Sequence, residues 1–177
     1  MNIVQIKNGR KITLREPVEN DAKEIIEFYN IVGGETKFLS FGEGEYKVSE
    51  DEQKNTIKSI NESNNNTMVL ATYDSKIIAI GTISSNQKKK GKHVGILGIV
   101  IKEEFCNFGL GRIMMEYLID WCKDNNITKK ISLSVSEDNP RARALYEKCG
   151  FEIEGILKNE TYIDGEFFNI VTMGLIL

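Results

Sequence analysis

The spacing of apolar residues changes several times along the chain, and each change predicts an element. Ile3–Arg15 reads as an opening strand pair folded at Asn8-Gly9, a dipeptide that tolerates the positive φ of a tight hairpin turn. Ala22, Ile25, Ile26 and Tyr29 then recur at helical spacing behind Asn20 or Asp21 as a cap. Gly33–Glu45 is glycine-rich and reads as irregular. Ser49-x-x-Glu52 is a capping box, and it opens a polar helix anchored by Ile57 and Ile60. Strands follow at Thr67–Tyr73, Ile77–Ser85 and His93–Ile101; Asp74-Ser75-Lys76 turns between the first two, and a basic loop, Gln87–Lys92, precedes the third. A long helix over Leu110–Asp124 carries Leu110, Ile113, Met114, Tyr117, Leu118 and Trp121 on one face, with Arg112, Glu116, Asp120 and Lys123 off it. Lys130–Val135 predicts a strand, and Pro140–Cys149 a helix stopped by Gly150. Strands at Phe151–Leu157 and Phe167–Leu175 close the chain. The order ββ-α-α-βββ-α-β-α-ββ is α+β (mixed α/β), not doubly wound. With no repeat and no linker, residues 1–177 read as a single domain.

Composition narrows the chemistry. The chain has 177 residues, with 23 Lys+Arg against 26 Asp+Glu for a net charge of −3. That mild acidity argues against nucleic acid or an anionic membrane surface as a partner. At 41% hydrophobic the chain can fill a core. Its one histidine, His93, excludes a multi-histidine metal site, and any triad would have to use it. Cys106, Cys122 and Cys149 are scattered and odd in number, which suits reduced thiols rather than a disulfide frame or a zinc cage. Residues 1–10 carry no signal-peptide apolar stretch, and Val94–Ile101 is too short to span a bilayer. The expected setting is cytoplasmic.

Two stretches carry candidate chemistry. In the first, the strand ending Ile99-Val100-Ile101 is followed by a loop and by Asn107-Phe108-Gly109-Leu110-Gly111-Arg112, which opens a helix. Glycines there let the backbone approach a ligand, and the helix's first N–H groups are unpaired and electropositive. With Arg112 they can hold a pyrophosphate, although an ordinary tight turn into a core helix has the same sequence. No Lys-Ser or Lys-Thr follows, so this is not a P-loop, and the position and glycine count fit a dinucleotide fold poorly. In the second stretch Asn139 is an N-cap with Pro140 at N1, and Tyr146 lies two turns on. Both can face one groove; the plainer reading makes Asn139 only a cap and Tyr146 a core aromatic.

Taken together, a strand, a glycine turn into a helix, another strand, and then Asn139-x-x-Ala142-x-x-Leu145-Tyr146-x-Lys148-x-Gly150-Phe151 resemble the GNAT superfamily of acetyl-CoA-dependent N-acetyltransferases. The likeness runs from about Ile77 to the C-terminus. The tail Ile163–Met173 looks like the branch with ribosomal-protein and spermidine acetyltransferases. The resemblance implies a central, mostly antiparallel twisted sheet flanked by helices, acetyl-CoA as co-substrate and no metal. It implies that backbone groups of Ile99, Val100 and Ile101 pair with the pantetheine arm. Amides from Asn107 through Phe108, Gly109, Leu110 and Gly111 to Arg112 would hold the pyrophosphate. Asn139 would bind the amide arm, and Tyr146 would protonate the departing thiolate. Lys148 or Arg143 would be placed to reach the adenosine phosphate. A homodimer is the assembly that family habit points to.

The chain departs from that pattern at two places. Cys106 stands where Gln or Arg usually begins the loop, and Ile96 where many relatives carry an acidic general base. Candidates for the base are Glu35, Glu43, Glu45, His93 or a water. An α-amine, with a reference pKa of about 7.7–8.0, needs less help than a side-chain amine near 10.4. The same acids, Glu35, Glu43 and Glu45, are the acceptor-side candidates for a small-molecule or peptide amine. The alternative function is a non-catalytic acyl-CoA-binding or sensing module.

Overall fold

The computed structural model describes residues 2–39 and 41–177; Met1 and Ser40, the latter inside the segment read as irregular, lie outside them. A hairpin of β1 (Asn2–Gln5) and β2 (Lys11–Arg15) leads into α1 (Ala22–Glu35) and α2 (Glu50–Asn61). Strands β3 (Thr67–Tyr73), β4 (Lys76–Ser85) and β5 (Val94–Ile101) follow, then α3 (Leu110–Asp124), β6 (Lys130–Ser136) and α4 (Pro140–Lys148). The last two strands are β7 (Glu152–Ile163) and β8 (Glu166–Ile176). All eight strands form one sheet in the order β1-β2-β3-β4-β5-β6-β8-β7. Every pairing is antiparallel except β5 with β6. The predicted element order and the mixed, mostly antiparallel sheet are what the structure contains.

Helices cover both faces. β3 and β4 are buried nearly throughout, and their side chains divide between two cores. Met68, Leu70, Ile77 and Ile80 meet Ile25, Phe28 and Val32 of α1 and Ile57 of α2. Val69, Ala71, Ala79 and Ile83 meet Leu110, Met114 and Leu118 of α3 on the opposite face. A strand apolar on both sides is what two helical layers require.

Three local readings change. First, α1 runs on through Gly33 and Gly34 to Glu35. Its last turn packs against the following loop so closely that a Cβ on Gly33 would collide with the Gly42 carbonyl oxygen. Those glycines serve a backbone contact rather than a break. Second, β7 and β8 are longer than their apolar runs and meet at Asp164-Gly165, both at positive φ. An irregularity between Leu157 and Thr161, with Asn159 at φ 54°, hides the alternation in sequence. Third, Met115, Ile119 and Cys122 of α3 are buried, whereas Ile113, Tyr117 and Trp121 are only half-buried. Beside that flank Ile119 and Cys149, the residue after α4, line one groove.

Asp21 precedes α1 but makes no side-chain cap to it. Its carboxylate instead receives Arg15 Nη1 and Nη2 at 2.6 and 2.7 Å and the Val18 amide at 2.7 Å. Hydrogen bonds from Arg15 hold this carboxyl below the usual carboxylate range. A depressed carboxyl contributes stability that is complete above pH ~4 and is lost as pH falls through the folded-state value. Asp21→Ala leaves a half-buried guanidinium and the Val18 amide unpaired, and is expected to cost about 2–3 kcal/mol in urea unfolding at pH 7. Part of the wild-type acid destabilisation below pH 4 should vanish in the same variant; an unchanged acid limb would show that Asp21 is not its source.

Candidate active site

The sheet is open at its centre. β5 and β6 pair only at Val94–Lys130, Gly95–Ile131 and Ile96–Ser132, and then diverge. Each stays bound on its outer side, β5 to β4 as far as Ile101 and β6 to β8 as far as Ser136. Beyond Ile96, therefore, β5 has no strand on its inner side. Ile99, Val100 and Ile101 lie on this unpaired stretch, as the added-strand role requires.

At the open end the chain turns into α3. Asn107 and Gly109 take left-handed φ values of 70° and 89°, and no side chain caps the helix. The first intrahelical bond is from the Ile113 amide to the Gly109 carbonyl at 3.2 Å. The amides of Leu110, Gly111 and Arg112 precede it and point out of the helix start. A Cβ on Gly111 would lie 3.3 Å from both Ile101 Cδ1 and Leu145 Cδ2. The bare backbone thus sits between the end of β5 and α4, where a side chain would crowd the gap. Arg112 is exposed and pairs with Glu116 at 2.8 Å. Cys106 is half-buried, and its thiol faces the Ile101 carbonyl oxygen at 3.9 Å.

α4 forms the other wall. Asn139 accepts the Ala142 amide at 3.1 Å through Oδ1, so the predicted cap is present and Nδ2 is left for a ligand. The helix ends in a Schellman motif: Gly150, at φ 91°, donates to Glu147, and Phe151 donates to Tyr146, both at 3.0 Å. The Phe151 ring packs on Tyr146 with centroids 6.1 Å apart. Burial pushes the Tyr146 phenol above its usual value, so it stays protonated at neutral pH. None of the helix's residues is fully buried, which leaves one face of α4 on the gap.

The acids of the α1–α2 segment reach the same open end. Glu35 accepts the Glu103 amide at 2.8 Å, just past β5, and Glu45 accepts the Gly42 amide at 2.8 Å. The Glu43 carboxyl lies over Gly34 and is exposed. His93 is elsewhere: it is exposed, and its carbonyl receives Lys129 and Lys130 at the paired end of β5 and β6. Lys37 and Asp138 have no motif to announce them, yet they pair at 2.6 Å across the mouth of the gap. Lys37 Nζ also lies 4.6 Å from the Phe168 ring centroid. Lys37 and Ser136 hold the Asp138 carboxyl below the usual range. A second groove, about 320 Å³, runs between α3 and α4 and includes Arg112, Lys148 and Cys149. Among the described residues no group of three or more His, Cys, Asp or Glu side chains could hold a metal, and no helix is long and apolar enough to cross a membrane.

Comparison with known proteins agrees with this geometry. Residues 27–151 match the Acetyltransferase (GNAT) family. The L-amino acid N-acetyltransferase AaaT of Escherichia coli (strain K12) is 30% identical over 105 residues, 59% of this chain and 65% of that protein. The spermidine N(1)-acetyltransferase of Vibrio cholerae is 35% identical over 75 residues, 42% of this chain and 43% of that one. The chain therefore spans less than two thirds of either relative. The crystal structure of a GNAT-family acetyltransferase from Streptococcus pneumoniae superposes with a TM-score of 0.92 at 33% identity, over 94% of this chain and 99% of that one.

The helix stop that seats Tyr146 can be tested for stability. Gly150→Ala forces a Cβ into the left-handed region and is expected to cost about 1 kcal/mol in urea unfolding. A neutral or stabilising result would contradict the motif.

Proposed function

The chain belongs to the acetyltransferase (GNAT) family, and from that premise we propose that it moves an acetyl group from acetyl-CoA to a primary amine by direct transfer in a ternary complex. The observation that carries this reading is the gap between β5 and β6, floored by an unpaired strand edge and ending at an uncapped helix start. A linear ligand with amide groups along its arm and a diphosphate at one end matches both features.

Residues take roles accordingly. The backbone of Ile99, Val100 and Ile101 pairs with the pantetheine amides, and Asn139 Nδ2 donates to the same arm. The amides from Asn107 to Arg112 surround the diphosphate, aided by the positive end of the α3 dipole. Lys148 lines the neighbouring groove, where it suits the adenosine phosphate. Acetyl-CoA, when bound, supplies a thioester carbonyl as the electrophile. Tyr146 gives its phenolic proton to the departing sulfur and recovers one from solvent. Acid catalysis of this kind is worth roughly 10²–10⁴-fold, and fixed orientation supplies several kcal/mol more.

The acceptor must lose a proton to attack. Glu35 and Glu45 each spend a carboxylate oxygen on a backbone amide, and His93 is at the wrong end of β5. Glu43 remains as the acid to receive a cationic amine or, through water, its proton. Weak base assistance favours an amine of low basicity, an amino acid or peptide α-amine over a polyamine. The L-amino acid acetyltransferase relative is consistent with that preference.

The test is release of free thiol from acetyl-CoA across α-amino acids, peptide N-termini and polyamines. Turnover is expected on α-amines, with a kcat/KM–pH profile rising through about 8; a limb near 10 with no earlier break would contradict the α-amine preference. Tyr146→Phe should lower kcat at least about tenfold while CoA binds within twofold of wild type, and unchanged turnover removes Tyr146 from the reaction. Thermal stabilisation by CoA without turnover on any amine would assign the chain a binding role instead.

A further inference from the structure

The β1–β2 hairpin is fastened to the loop that opens α3. The Lys7 amide donates to the Phe108 carbonyl at 3.0 Å. Arg10 lies over the rings of Phe105 and Tyr73, 5.0 and 5.3 Å from their centroids. Ile6, next to Lys7, is buried in the core shared with Phe105. These contacts carry the Lys7 side chain onto the helix start: its Cε is 3.7 Å from where a Cβ of Gly109 would be. That is ordinary van der Waals distance, so the stem lies directly against the backbone of the helix start, where the φ of 89° favours glycine.

The loop itself carries no net positive charge. From Lys102 to Arg112, two cations are offset by Glu103 and Glu104. Arg112 is paired with Glu116, and Cys106 offers a thiol to the Ile101 carbonyl. Arg10 is committed to two aromatic faces. Lys7 is exposed and makes no ion pair among the described residues.

We propose that Lys7, reaching in from the N-terminal hairpin, is the cation that neutralises the diphosphate of CoA at the start of α3. This rests on the acetyl-CoA reading of the gap. Backbone amides fix the direction of phosphate oxygens but carry no full charge, whereas an ammonium on a flexible stem follows them as a point charge. The hairpin, on the far edge of the sheet from β5 and β6 in strand order, thereby becomes part of the cofactor site.

The test is calorimetric titration of wild type, Lys7→Met and Lys7→Arg with CoA, 3′-dephospho-CoA and pantetheine. Lys7→Met should weaken CoA and 3′-dephospho-CoA about tenfold, with a shallower salt dependence, and leave pantetheine unchanged. Lys7→Arg should recover most of the loss. Unchanged CoA affinity in Lys7→Met overturns the assignment. Equal loss for pantetheine also overturns it, because the side chain would then serve only hairpin packing. A loss for CoA but not for 3′-dephospho-CoA moves the charge to the 3′-phosphate and overturns the diphosphate assignment. Wild type that binds neither nucleotide overturns the cofactor reading as well.

Discussion

Three pairs of residues hold β5 to β6, and nearly everything about the site depends on their being so few. Both strands have better partners on their outer sides: β4 follows β5 to Ile101, and β8 follows β6 to Ser136. Two twisted half-sheets joined by one short parallel ladder diverge past its end. The divergence leaves β5 with backbone donors and acceptors that no strand can satisfy. In a buried sheet that would be costly, and an open edge of this kind can pair with an extended ligand.

The walls of the gap are held by end effects more than by burial. α4 has no fully buried residue, so its placement relies on the Asn139 cap at one end and the Gly150 stop at the other. Tyr146 gains from this arrangement, since the stop that ends the helix also brings Phe151 onto its ring. Across the gap, α3 begins at Gly109 with nothing to cap it, and Gly111 leaves room between Ile101 and Leu145. The Lys37–Asp138 pair ties the loop after α1 to the turn before α4 that presents Asn139.

Much of this was legible from local patterns. The α3 bounds, the α2 capping box, the Asn139 cap and the Gly150 stop are each set within a few residues, so they read directly. What misread did so for a shared reason. Gly33 and Gly34 look like breakers until Gly42 and Glu43 are seen against them, and the far half of β7 looks like loop until β8 supplies its partner. On α3 the apolar stripe predicts one face, but Met115, Ile119 and Cys122 beside it are the ones fully buried in the core shared with the sheet, and only the packing decides how far that face turns.

Sequence by itself determined the element order, the mixed fold and the two motifs on which the cofactor reading rests, because caps, turns and apolar periods act over a turn or two of chain. Only the tertiary structure decided where β5 and β6 part, which acids stay free and which distant cation reaches the helix start. Lys7 with Gly109 and Lys37 with Asp138 are contacts between segments far apart in sequence. No local pattern encodes such pairs; they follow from how the layers stack, and the charge balance of the site follows from them.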